Sequence, residues 1–295
     1  MNKLLAFLNQ FNNADFILPQ SVETKNELLE TMTDLYRSAV SKNYLREDKY
    51  ESGVFGVSQL GKPAIITAWD HFNGVENNPP SFAMKRKWFG GHTFEIEVYM
   101  YLHRLGYEVQ HQVSIQVSEL IQGHPDFVVT DPTTQQRFVV ECKHVDDAKY
   151  KAYRKYGMNN QQYQTQLALY ASHLNCDAIW VVGNACTGEV MGLPVTNEQV
   201  HTFYDELIMR AQMVTVACAA SSSLEEVLKN GMAPPFPRRR KDGSFYISPE
   251  MYSGKGRLHP ACSLYDFYEE DGKYYVKGWN YPEGARGYEP ELDWS

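Results

Sequence analysis

At 295 residues, 43% of them apolar, the chain is long enough to bury one large core or two smaller ones, which excludes a disordered or fibrous protein. Its net charge of -8 excludes a uniformly basic coat for nucleic acid, although contact with phosphates depends on where Lys and Arg gather rather than on their sum. Five cysteines (Cys142, Cys176, Cys186, Cys218 and Cys262) without a CxxC pair point to reduced thiols rather than a zinc ribbon or a disulfide framework. No run approaches the roughly 18 apolar residues of a membrane span and Met1–Gln10 lacks a signal-peptide cleavage pattern, so a soluble cytoplasmic protein is expected.

Residues 1–47 alternate apolar and charged positions, with Leu28, Tyr36 and Val40 at helical spacing and Ser21 as a candidate N-cap, and predict a helical lead-in. Gly53 to Pro63 predicts a loop that places Ser58 at a helix start. Asn73 to Pro80 breaks the chain, and Lys85-Arg86-Lys87 follows as a small basic cluster, either a solvated patch or a phosphate contact. From Gly91, the recurrence of Phe94, Val98, Tyr101, Leu102 and Leu105 predicts an amphipathic helix that ends at Gly106. Glu95 lies in its first turns, and Glu97 points elsewhere around it. Tyr107 to Val117 alternates almost throughout, as for one strand with a wet face.

Gly123-His124-Pro125-Asp126-Phe127 comes next, apolar after Asp126 as far as Thr130 and ended by Asp131-Pro132-Thr133-Thr134, so a hairpin is the simplest geometry. Arg137 to Lys143 is β-branched and aromatic and predicts a strand with Phe138, Val140 and Cys142 on one face and Val139, Glu141 and Lys143 on the other. A carboxylate and an ammonium then share a buried strand, with Asp126 one strand away, and buried charge is costly unless paired or metal-bound. Two acidic oxygens suit a hard cation such as Mg²⁺. The spacing alone leaves a strand-end salt bridge and a metal site both open.

After Lys143 come Lys149, Tyr150, Lys151, Tyr153, Arg154, Lys155 and Tyr156, which suit either a solvated helix or a groove that tracks phosphates and stacks bases. Gln162, Gln166 and Tyr170 recur every four residues beside apolar Leu167, Leu169 and Leu174, a polar stripe that faces either the strand end or water. Asp177 to Gly183 reads as an interior strand reached by a helical crossover, and Glu189 to Val195 as an edge strand. Thr196-Asn197-Glu198 opens a long helix through Ala219 that buries Phe203, Leu207, Ile208 and Met213, and Ser221-Ser222-Ser223 caps a short one at Leu224–Lys229. From Gly231 Pro, Gly and aromatics dominate, with Arg238-Arg239-Arg240-Lys241 the densest basic run and Asp271-Gly272 a hairpin signal. The expected organisation is a helical lead-in over 1–88, an α/β core with trailing helices over 89–230, and an irregular, aromatic-rich extension over 231–295.

Gly91-His92-Thr93-Phe94-Glu95, Pro125-Asp126, Glu141-Cys142-Lys143 and Gln166-Leu167-Ala168-Leu169-Tyr170, in that order, resemble the motifs of the PD-(D/E)XK nuclease superfamily, and within it the RecB-like exonucleases. The resemblance implies a restriction-endonuclease-like α/β core with a four-stranded mixed central sheet flanked by helices. It implies Glu95, Asp126, Glu141 and the Cys142 carbonyl as ligands of Mg²⁺, for which Mn²⁺ substitutes. Lys143 would be the catalytic lysine, with Gln166 and Tyr170 positioning DNA or the lysine. Ser58-Gln59-Leu60-Gly61-Lys62-Pro63 is similar to an upstream S-x-L-G element. Some RecB-like nucleases carry the first cysteine of an iron–sulfur site there; Gly61 stands in its place and no cysteine triplet follows, so no cluster is expected.

The function this implies is hydrolysis of DNA by metal-activated water, by an exonuclease acting on DNA ends in recombination, replication or DNA degradation in a bacterial cell or phage-infected host. The expected DNA contacts are Ser58, Lys149, Lys151, Arg154, Lys155 and Gln162, and the expected substrates are linear duplex ends or single strands. A recombination or single-strand-binding partner and self-association are both compatible with this. Two alternatives stay open: a site-specific or structure-specific endonuclease, and a catalytically silent DNA-binding scaffold on the same fold.

Overall fold

The computed structural model describes residues 1–11, 25–45, 54–62, 64–73 and 81–229, and beyond them strand residues 237–239, 245–247, 252–253, 257–258, 267–270 and 273–276. Ser21, the break at 74–80, Arg240-Lys241, Cys262 and Asp271-Gly272 lie outside the described residues. The chain opens with α1 (Asn2–Phe11) and α2 (Lys25–Val40), which runs into a π-helical turn at Ser41–Leu45. Next come β1 (Phe55–Gly56) and α3 (Ala64–Asn73). Ser58 sits within a 3-10 turn, Val57–Gln59, rather than at the start of a helix.

Helix α4 (Phe82–Arg104) begins nine residues before the expected Gly91, because Ser81 caps it: its side chain accepts from the Met84 N–H at 3.2 Å. Lys85-Arg86-Lys87 therefore belongs to its first turns. Gly90 and Gly91 stay helical, and Phe94 stacks on His144 with ring centroids 5.2 Å apart. Tyr107–Val117 is not one strand. It divides into β2 (Glu108–His111) and β3 (Ile115–Ser118), because Gln112 turns at φ 46° and gives its N–H to the Asp126 carbonyl at 3.1 Å. β3 instead pairs antiparallel with β4 (Ile121–Gly123), which pairs parallel with β1.

β5 (Phe127–Thr130) and β6 (Arg137–Val145) form the expected hairpin. α5 (Asp147–Tyr156) and α6 (Gln161–Leu174) then cross over to β7 (Asp177–Asn184), parallel to β6, and β8 (Val190–Val195) closes the edge antiparallel to it. The mixed central sheet has five strands in the order β2-β5-β6-β7-β8, one more than the four the resemblance implied. Its two faces follow the alternation along β6. Phe138, Val140 and Cys142 pack with Phe94, Val98 and Leu102 of α4 and Leu4 and Leu8 of α1. Val139 and Val145 pack with Tyr150, Leu167, Tyr170 and Trp180. Helices cover both faces, giving a mixed α/β architecture.

The stretch 196–219 is two helices, α7 (Asn197–Phe203) and α8 (Asp205–Ala219), broken at Tyr204 with φ -117° and ψ 2°. The break rotates the buried face: Val200, Ile208, Ala211, Val214 and Cys218 are inside, while Phe203 and Met213 are 68% and 61% exposed, contrary to expectation. α9 (Leu224–Lys229) follows, with Ser223 accepting from the Glu226 N–H. In the tail β9 (Pro237–Arg239) pairs with β10 (Phe245–Ile247), β11 (Tyr252–Ser253) with β12 (Arg257–Leu258), and β13 (Phe267–Glu270) with β14 (Lys273–Val276). Among the described residues no helix is long and apolar enough to cross a membrane.

Candidate active site

The register of the hairpin explains why proline precedes Asp126. Phe127 faces Val140, so two positions further Pro125 would face Cys142. Backbone groups along β6 point alternately to its two neighbours. The Cys142 N–H points to the β5 side, where it donates to Asp126 Oδ2 at 2.7 Å. Its carbonyl points the same way, toward a residue that has no N–H to give. Pro125, with no N–H to give, thus cannot extend the ladder past Phe127. Burial, then Asp126, pushes the Cys142 thiol well above its ordinary range.

Glu141 is fully buried. Its Oε2 accepts from Lys143 Nζ at 2.9 Å, its Oε1 has no hydrogen-bond partner among the described residues, and the Asp126 backbone N–H lies near enough to the carboxylate to favour its charged form. An unsatisfied buried acceptor costs about 1–3 kcal/mol, more when charged, so this oxygen marks a place where a positive group is wanted. Lys143 Nζ also donates to Gln166 Oε1 at 3.1 Å and lies 4.7 Å from the centroid of the Tyr163 ring. Glu95 reaches the same centre from α4, with His92 Nδ1 3.1 Å from its Oε1. Its charge is felt by both Asp126 and Glu141. Glu97 is exposed and hydrogen-bonds Tyr101.

Three carboxylates facing one ammonium leave the centre short of positive charge. Burial first, then Glu141 and Glu95, raise Asp126 well above the ordinary carboxyl range. Burial also raises Glu141, with Lys143 limiting the rise. Desolvation opposes the charge on Lys143, but Glu141 and Asp126 outweigh it and hold the ammonium protonated above its ordinary range. Each carboxylate is engaged by a neighbour, and among the described residues no three acidic, histidine or cysteine side chains close around one point. The orphaned Glu141 oxygen, the all-oxygen donor set and the excess negative charge nonetheless fit a hard divalent cation.

A groove of about 790 Å³ adjoins this centre, walled by β1 and the turn after it on one side and α6 on the other. Gln162, Gln166 and Tyr170 all line it, so the polar stripe of α6 faces inward. Gln162 Nε2 donates to the Ser58 carbonyl at 2.7 Å. Two glycines permit this closeness. A Cβ on Gly61 would lie 2.2 Å from Gln162 Cα, and one on Gly123 would lie 2.4 Å from the Tyr170 hydroxyl oxygen. Tyr170 is itself buried, and burial first, then Glu141 and Asp126, raise its hydroxyl pKa.

The basic helix α5 stands apart from the groove lining. Tyr150 and Tyr153 are core residues and not available to stack bases, which corrects the interleaved reading. Lys151 pairs with Asp147 at 2.7 Å, Arg154 with Glu189 at 3.7 Å, and Lys155 lies over the Tyr156 ring; Lys149 is exposed. Residues not singled out from the sequence also gather here. His92 and Trp88 precede Glu95 by three and seven positions, a helical spacing that was there to be read. Lys42 and His111 join His92 around a small cavity beside Glu95 only through tertiary folding.

No family model matches the chain. No curated protein matches it either. Among solved structures it is similar to SSO0001 at 11% identity, covering 61% of this chain and 86% of that one with a TM-score of 0.37. It is also similar to LHK-Exo in complex with dAMP at 15% identity, covering 57% of this chain and 94% of that one, again with a TM-score of 0.37.

Proposed function

We propose that this chain is a metal-dependent nuclease of the PD-(D/E)XK, RecB-like kind that hydrolyses phosphodiester bonds of DNA from strand ends. The observation that supports it best is the fully buried Glu141, paired through one oxygen with Lys143 and unpartnered at the other, where Pro125 ends the β5–β6 ladder. Mg²⁺, or Mn²⁺ in its place, held by Glu95, Asp126, Glu141 and the Cys142 carbonyl, supplies when bound a Lewis acid for a phosphoryl oxygen and a lowered pKa for water. Lys143 has three N–H groups, two of them given to Glu141 and Gln166. The third meets the negative charge that builds on the phosphate oxygens during attack. Gln166 holds the ammonium from the α6 side, and Tyr170, bonded to Gln166 and to the His124 backbone, holds Gln166. Ser58 and Gln162 contact the strand in the groove, and Lys149, Lys151, Arg154 and Lys155 contact backbone outside it.

Digestion of end-labelled linear duplex, linear single strand and closed circular DNA, each with Mg²⁺ and with EDTA, tests this. Linear substrates should shorten from their ends only when Mg²⁺ is present, and circles should survive. Equal cleavage of circles would replace the exonuclease by an endonuclease, and no cleavage with Mg²⁺ or Mn²⁺ would remove the nuclease reading.

A further inference from the structure

The groove carries one residue for which the hydrolytic centre has no use. Trp88 is 45% exposed and lines the groove together with Val54, itself 40% exposed. It shares a face of α4 with His92 and Glu95, and its Cα stands roughly 10 Å along the helix axis from that of Glu95. Elsewhere the walls mix polar Ser58, Gln162, Gln166 and Tyr170 with apolar Phe55 and Val57, and His124 stands among them. The single ammonium among the lining residues, Lys62, is bound to Asp70 at 2.9 Å. Walls of this kind offer little phosphate neutralisation, which is the main source of sequence-independent affinity for nucleic acid. A flat, half-exposed indole offers the other source, stacking of an unpaired base. At about 790 Å³ the groove has the capacity of a small-ligand site, room for a nucleotide or two of an unpaired strand.

We propose that the groove takes an unpaired DNA strand and that Trp88 stacks on the base of a nucleotide neighbouring the scissile phosphate. The position of that phosphate rests on the nuclease reading; the binding of the strand does not. Anisotropy titrations of the full chain, with Ca²⁺ as the divalent cation, would compare a labelled ten-nucleotide thymidine strand, an abasic strand of equal length and a duplex. The wild type should bind the thymidine strand more tightly than the other two. Trp88→Ala should weaken thymidine-strand binding roughly tenfold and leave abasic binding unchanged. Trp88→Leu, which keeps apolar bulk without a π face, should lose as much, and Trp88→Phe should retain most of the affinity. Equal thymidine-strand affinity in Trp88→Leu and wild type, equal losses on the abasic strand, or preference for the duplex would overturn the proposal. Cleavage by the same wild-type preparation with Mg²⁺ is scored separately. A stacking pattern without cleavage would sink the nuclease reading and keep Trp88, and cleavage without the pattern would do the reverse.

Discussion

Asp126 bears the energetic cost of the centre most directly. Its carboxyl is raised above the ordinary value of 3.8 by burial and by two neighbouring carboxylates. The folded state therefore binds this proton more tightly than the unfolded chain does. The penalty is absent below pH 3.8, grows as pH rises toward the raised pKa, and persists above it. Asp126→Asn keeps an oxygen for the Cys142 N–H and removes the charge. Without divalent cation it should melt about 2–4 °C above wild type at neutral pH, and the difference should vanish near pH 3.5, by circular dichroism. Equal melting at both pH values would contradict the assigned shift. Lys143→Ala should do the opposite, because it leaves Glu141 buried without the ammonium it is paired with. A loss of about 3–5 kcal/mol in urea unfolding is expected, relieved in part by adding Glu141→Gln. Cleavage by Lys143→Ala should fall at least roughly a hundredfold.

At the scale of elements, the hairpin β5–β6 was legible because both signals were local: a polar turn between two apolar runs, and a two-residue alternation that sets Glu141 and Lys143 on one face. The crossover to β7 and the edge strand β8 were legible for the same reason. Tyr107–Val117 was misread because alternation persists through Gln112, where a positive φ and a bond to the Asp126 carbonyl redirect the chain. The length of the helix through Ala219 was misread because nothing apolar or polar interrupts the pattern at Tyr204. The inward aim of Gln162, Gln166 and Tyr170 was open on spacing alone and is decided by two glycines far away in sequence. Gly123→Ala should therefore displace Tyr170 and lower both melting temperature and cleavage. Tyr170→Phe, which removes the nearest obstructing atom, should recover part of the lost stability in the double mutant. Simple additivity in that double-mutant cycle would contradict the contact.

For the molecule as a whole, the proposed function makes folding and cation binding one linked equilibrium. A cation that binds only the folded state should stabilise it by about 2.7 kcal/mol at a hundredfold excess over its Kd. Mg²⁺ or Mn²⁺ should accordingly raise the melting temperature of the wild type and leave that of Asp126→Asn unchanged. An equal rise in both would place the cation elsewhere. With a net charge of -8, the DNA contact proposed above rests on local features, the groove and the exposed face of α5. The most direct test of the proposed hydrolytic centre is the initial rate at which Mg²⁺-loaded wild type, Asp126→Asn and Lys143→Ala release nucleotide from one end-labelled linear strand. The wild type should release label and stop when EDTA is added, with both variants at least roughly a hundredfold slower. Release that survives EDTA, or wild-type rates in both variants, would contradict it.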